Sequence, residues 1–189
     1  LSGGRKMRGY AVLAVLIVVV ALLAGCGGKD ANTVTVFLMG QNGTPDGTAD
    51  KLKDKLEASL GQDLKVEFNV SPIYNSQKLL LEYAGATNDL IILPKQEMLD
   101  YGKQGSNVPL DAHINKEDFP EGVFEGGVES KSGDKQIELK QETHLYGIPV
   151  SKLKLFKDAG YTPEDLFVTI PASAGNVERS VQVINAMMK

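Results

Sequence analysis

The chain has no tryptophan, one cysteine and two histidines among its 189 residues, and aromatic side chains make up only 6% of it. Each scarcity removes a class of function. Without a second cysteine no intrachain disulfide forms, so stability has to come from a buried core. His113 and His144 have no second histidine or cysteine at metal-ligand spacing, and both fall in predicted connectors, where they read as ordinary surface or turn residues. The lack of indole rings works against a site that stacks sugars on tryptophan. No Gly-x-Ser-x-Gly elbow and no Gly-x-x-x-x-Gly-Lys phosphate loop occurs. Asp54, Glu57, Glu117 and Asp118 stand where solvated helix faces and caps place acids, and no glycosidase-like carboxylate pair stands out. The reading is a non-enzyme with no catalytic residue, no metal site and no cofactor.

Acidic residues are missing from the first 25 positions, where Arg5, Lys6 and Arg8 are the only ionised side chains. Ala11 to Ala24 then carries no charged or polar side chain. That run is 14 residues, whereas a spanning helix needs about 20, so it reads as the apolar segment of a signal peptide. Leu23-Ala24-Gly25-Cys26 resembles the lipobox of bacterial lipoproteins, in which the cysteine sulfur receives a diacylglyceryl group and the leader is cut before it. Two acyl chains matter, because one chain alone gives only marginal, reversible attachment. The expected organisation is a signal peptide over 1–25, a lipidated Cys26 with its tether over 26–32, and one α/β domain over 33–189. The expected place is the extracytoplasmic side of a bacterial cell membrane. Taking the three leader cations from the 20 Lys/Arg leaves 17 against 24 Asp/Glu, a formal charge of −7 for the mature chain. That excludes nucleic acid as a partner held by bulk electrostatics.

Beyond the tether the pattern alternates strand and helix. Thr33 to Met39 is β-branched and apolar and stops at Gly40. Gln41 to Gly47 is turn-rich, and Thr48 caps a helix with Leu52, Leu56 and Leu60 on one face and Gly61 at its end. Leu64 to Val70 alternates apolar and polar residues, as a half-exposed strand near a sheet edge does. Asn75 or Ser76 starts a helix through Leu79, Leu80, Tyr83 and Ala84, and Asp89 to Leu93 reads as a buried parallel strand, with Leu56 and Ile91 expected across one helix–sheet contact. A short helix runs from Gln96 to Gly102, a connector from Asn107 to Ile114, and Asn115 with Asp118 caps another short helix. Glu121 to Thr143 is rich in glycine and charge and reads as a flexible excursion or a poorly formed hairpin. Tyr146 to Val150 is a fourth strand, Leu153, Phe156 and Ala159 share a helix face closed by Gly160, and Thr162 to Asp165 reads as one helical turn. Leu166 to Ile170 is a fifth strand, and Asn176 or Ser173 caps a last helix with Val177, Val181, Ile184 and Met188 inward. The alternation predicts a layered α/β domain with a mostly parallel sheet of about five strands flanked by helices.

Several phrases, in this order, resemble the extracellular solute-binding lipoproteins of ABC importers. They are the first strand ending at Gly40, Asn88-Asp89-Leu90-Ile91, the stretch from Tyr101 to Val108-Pro109-Leu110-Asp111, Tyr146-Gly147-Ile148-Pro149-Val150, and Phe167 to Glu178. The resemblance implies one lobe of a periplasmic-binding-protein type II fold. Ordinary members carry a second lobe, inserted where Val150 here leads to Ser151. Only a helix separates Val150 from Phe167, so the chain reads as a one-lobe version.

Open parallel sheets bind ligands at the carboxyl ends of their strands. That rule selects Gln41, Asn42 and Thr44 after the first strand, Tyr74 and Asn75 after the second, Lys95 and Gln96 after the third, and Ser151 after the fourth. The expected function is solute-binding-like recognition of a small ligand or partner at the membrane. An importer permease is the partner that the resemblance implies. The alternative is an envelope interaction or structural lipoprotein with no small-molecule ligand. Cys26→Ser is expected to abolish incorporation of a fatty-acid probe, and equal labelling of the two forms overturns the lipoprotein reading.

Overall fold

The computed structural model describes residues 30, 32–61, 64–132 and 136–189; the leader, Cys26 and most of the tether lie outside the described residues. Seven strands and five helices follow in chain order among them. They are β1 (Thr33–Met39), α1 (Thr48–Leu60), β2 (Lys65–Ser71), α2 (Ser76–Ala84), β3 (Leu90–Pro94) and α3 (Lys95–Lys103). Next come β4 (Val123–Ser132), β5 (Gln136–Leu145), β6 (Ile148–Pro149), α4 (Lys154–Ala159), β7 (Leu166–Thr169) and α5 (Val177–Met188). Among the described residues no helix is long and apolar enough to cross a membrane.

Five strands form one sheet in the order β2-β1-β3-β7-β6. β1 pairs in parallel with both β2 and β3, which the continuous burial of Val34 to Met39 on a central strand requires. β2 is the edge strand that its alternation predicted, with Lys65, Glu67 and Asn69 exposed. The sheet is an α/β sheet of five strands flanked by helices, but mixed. β7 runs antiparallel to both β3 and β6. Between β6 and β7 the chain has a 3-10 turn (Val150–Lys152), the six-residue α4 and the segment 160–165.

Period-two alternation divides the core between the two faces of the sheet. Val36, Leu38, Leu90, Ile92 and Val168 meet Leu52 and Leu56 of α1, Phe156 of α4 and Ile184 of α5 on one face. Phe37, Met39, Ile91, Leu93 and Phe167 meet Leu79 of α2 and Met98 of α3 on the other. Leu56 and Ile91 therefore lie on opposite faces and share no contact layer, contrary to the sequence expectation. Leu80 also turns outward, 57% exposed. In a helix packed by one side, Leu79 and Tyr83 at i and i+4 take the inner face and exclude the residue between. Asn75 caps α2 by accepting from the Lys78 amide at 3.0 Å, and Asn176, not Ser173, caps α5 by accepting from the Arg179 amide at 2.9 Å.

Two further segments differ from their predicted form. Thr162 to Asp165 is irregular chain and a turn with no helix. Glu121 to Thr143 holds most of an antiparallel hairpin, with β4 and β5 in register from Val123↔Leu145 to Ser132↔Gln136. Its glycines mark close backbone approach instead of freedom. A Cβ on Gly126 would lie 2.7 Å from the Tyr146 ring, and one on Gly127 would lie 2.8 Å from the Gly105 amide nitrogen.

Ile91 is wholly buried and Leu81 is 69% exposed. Ile91→Ala is expected to cost about 2–5 kcal/mol in urea unfolding, and Leu81→Ala to stay within about 0.5 kcal/mol. Equal losses overturn the placement of β3 in the core.

Candidate functional site

A groove of about 410 Å³ opens beside the carboxyl end of β1. Its floor is a tight turn in which the Gly43 amide donates to the Gly40 carbonyl at 3.1 Å. Gly43 has φ +79°, and a Cβ there would stand 2.6 Å from the Pro72 carbonyl oxygen. A side chain is excluded on both counts. Gln41, Asn42 and Thr44 line one side of the groove, and Tyr161, Pro163 and Asp165 line the other.

Three of the eight residues selected from the sequence thus meet in one cavity, while the other five do not line it. Tyr74 donates its hydroxyl to Glu97 of α3 in a short hydrogen bond. Asn75 is occupied as the cap of α2. Lys95 gives its amide to the Asp165 carbonyl at 2.8 Å and sets its ammonium 5.8 Å from the centre of the Phe167 ring. Gln96 donates to Asp100 at 3.1 Å, and Ser151 is half-buried in the 3-10 turn after β6. The lining residues that the sequence missed, Tyr161, Pro163 and Asp165, precede β7. Because β7 is antiparallel, its amino end shares the edge with the carboxyl ends of β1 to β3. A rule written for carboxyl ends passes over it.

The groove carries one carboxylate, Asp165, and no lysine, arginine or histidine. Burial pushes the Tyr161 hydroxyl up from its ordinary value; the Thr44 hydroxyl works the other way, and the Asp165 charge adds to the rise. Thr44 is 9% exposed, and its Oγ1 has no hydrogen bond of full geometry, although Tyr161 is near enough to feel it. The lining therefore offers hydroxyls, amides and one acid. It suits a neutral polar or cationic ligand better than an anion, because no basic side chain compensates a second negative charge.

His144 lies in β5, not in a connector, and its ring bridges two acids. Nδ1 is 2.9 Å from Asp111 Oδ2 and Nε2 is 3.1 Å from Glu142 Oε2. Asp111 Oδ2 also accepts the Leu145 amide at 3.1 Å, and Lys116 approaches Oδ1 at 3.8 Å. This cluster ties the 107–114 connector to the base of the hairpin. Among the described residues no group of three or more His, Cys, Asp or Glu is arranged to hold a metal ion.

No protein-family model and no curated protein matches the chain. Solved structures do resemble it. One is an extracellular solute-binding protein family 1 from Alicyclobacillus acidocaldarius subsp. acidocaldarius DSM 446, at 18% identity over 72% of this chain and 34% of that chain, with a TM-score of 0.44. Another is the "Putative spermidine/putrescine ABC transporter" of Listeria monocytogenes, at 12% identity over 84% of this chain and 79% of that chain, with a TM-score of 0.48. A third is an ABC substrate-binding protein of Listeria monocytogenes in complex with cycloalternan, at 20% identity over 71% of this chain and 34% of that chain, with a TM-score of 0.41. The structure is similar to extracellular solute-binding proteins over a portion the size of one lobe. The chain spans about a third of the length of the first and third of them.

The Tyr74–Glu97 bond carries a pH consequence. The hydrogen bond to the carboxylate is the main cause that lifts the Tyr74 phenol from 10.0 to about 12, with burial and the Glu97 charge adding to it. A raised folded-state value stabilises the fold below the ordinary phenol value and loses that contribution as pH rises through about 12. In a tyrosinate absorbance titration, Glu97→Gln is expected to move the Tyr74 phenol down toward 10.0 and to lower Tyr101, which the Glu97 charge also raises. Superimposable titrations of wild type and variant overturn the assignment.

Proposed function

We propose that the chain is a lipid-anchored, extracytoplasmic recognition protein that is not an enzyme and that takes a small neutral or cationic polar ligand in the groove beside β1. The observation that carries this reading is the convergence of Gln41, Asn42, Thr44, Tyr161 and Asp165 on one cavity of ligand-sized volume. The lipid anchor rests on the leader and Cys26. Association with an importer permease follows only from the family resemblance and is part of the same proposal.

The groove lies between the Gly40–Pro45 turn and the 161–165 loop. Between Val150 and Leu166 the chain supplies the 3-10 turn, α4 and the 161–165 loop, and none of these builds an opposing lobe. A groove without an opposing lobe buries less of a ligand than a closing cleft, so the monomer is expected to bind with a Kd weaker than about 1 μM. A second protein that closes the groove is expected to tighten binding. Thermal-shift screening with neutral sugars, amino acids, peptides and polyamines, followed by titration calorimetry, tests the site, since a ligand of the native state raises its melting temperature by mass action. The shift is expected to vanish in Asp165→Asn combined with Gln41→Ala. A shift that survives both substitutions moves the site elsewhere. No shift with any of these compounds favours the envelope interaction protein that binds no small molecule.

A further inference from the structure

The β4–β5 hairpin is a sheet of two strands only, and such ribbons are marginal in water unless something covers them. β4 has cover. It lies against α3, and its Gly126 and Gly127 are buried. β5 is the outer strand, and Glu138, Leu139, Lys140, Gln141, Glu142 and Thr143 are exposed in succession. Among the described residues no strand pairs with its far edge. An unpaired edge of this length is a template for another strand.

We infer that the edge of β5 pairs antiparallel with β5 of a second copy of this chain, about a two-fold axis at Leu139, to make a four-stranded intermolecular sheet. The charge pattern selects that occupant and that register. With Leu139 opposite Leu139, Glu138 of each chain stands opposite Lys140 of the other, so both charges are met twice over. Leu139, 46% exposed in the monomer, meets its own copy. Centring the pair on Glu138 sets acid against acid, and centring it on Lys140 sets base against base, with Glu138 opposite Glu142. Like charges directly opposite destabilise a strand pair. A centre at Gln141 sets Lys140 against Glu142 and leaves Leu139 facing Thr143, which buries less apolar surface. Two-fold symmetry demands self-complementarity of one segment, and Glu138-Leu139-Lys140 has it.

Light scattering on the full chain carrying Cys26→Ser, over a series of concentrations, tests this. The expected mass is that of two chains. Lys140→Glu places acids opposite each other in both favourable registers and is expected to give one chain. Glu138→Lys combined with Lys140→Glu restores opposite charges only in the Leu139-centred register and is expected to restore two chains. Leu139→Cys, in the same background, is expected to form an interchain disulfide under mild oxidation. Melting temperatures should agree among the charge variants at concentrations where all are single chains, which separates pairing from folding. A single-chain mass for the Cys26→Ser protein throughout overturns the inference. So does a two-chain mass that persists in Lys140→Glu, or a double variant that stays a single chain.

Discussion

The antiparallel pairing of β7 with β3 is the constraint on which the rest of the domain turns. Ile91↔Thr169 to Pro94↔Leu166 is a ladder of four residues, reinforced where the Thr169 hydroxyl donates to the Ile91 carbonyl at 3.1 Å. Because β7 enters from the edge where β1 and β3 end, the 161–165 loop is delivered beside the Gly40–Thr44 turn. Two segments far apart in sequence then share one cavity. Reversing β7 would carry Tyr161 and Asp165 to the opposite edge and leave the β1 turn without a facing wall. The same direction lets β7 leave toward the amino end of β3, where α5 begins. The groove edge and the return of the chain to the core are thus two results of one strand's direction.

Close packing at glycine governs the second feature, the hairpin. Gly102, Gly126 and Gly127 lie where β4 crosses the end of α3, and a Cβ on Gly102 would stand 2.5 Å from the Phe124 ring. The ribbon can sit on α3 only because these side chains are absent. Phe124 in turn stacks toward Tyr146 with ring centres 4.8 Å apart, so the glycines admit aromatic packing that holds the base of the hairpin. The base is further held by Asp111, which accepts both from His144 and from the Leu145 amide.

Much of the sheet was legible because its chemistry is local. β1, β2 and β3 show their class in residue type and alternation: Val66 is buried while Lys65 and Glu67 are exposed on the edge strand, and Leu90 to Pro94 is buried throughout. Direction was not legible for β7. Leu166 to Thr169 is buried on both faces, so no alternation marks a face, and its sense depends on where a short α4 leaves the chain. The hairpin was hidden for a different reason. Glycines and charges that read as looseness are, respectively, contact points on α3 and the solvated outer strand. The groove was legible in part: Gln41, Asn42 and Thr44 follow from the end of a parallel strand, whereas Tyr161 and Asp165 required knowing that an antiparallel strand begins there. Tyr74, Asn75 and Gln96 sit on that same edge, yet hydrogen bonds to Glu97, to the Lys78 amide and to Asp100 occupy them. Position on an edge selects candidates, and only partner accounting separates the free from the committed.

Why the groove edge can stay open follows from how the opposite edge is secured. Asp89, 6% exposed, accepts the Thr35 amide on its carboxylate at 2.8 Å, and its own amide donates to the Thr35 carbonyl at 2.9 Å. Its carbonyl accepts the Ser180 hydroxyl at 3.1 Å. One residue at the start of β3 therefore joins β1, β3 and α5 through buried, charge-assisted or backbone bonds, which are stronger and less screened than surface pairs. Buried polar groups satisfied in this way fix the relative position of the elements that meet there. With the amino edge fixed by Asp89 and the middle of the sheet filled on both faces, the turn at Gly40–Thr44 is not needed to hold the strands together. On that turn Gln41 and Asn42 stand exposed, while Thr44 is buried and Gly43 admits no side chain beside Pro72.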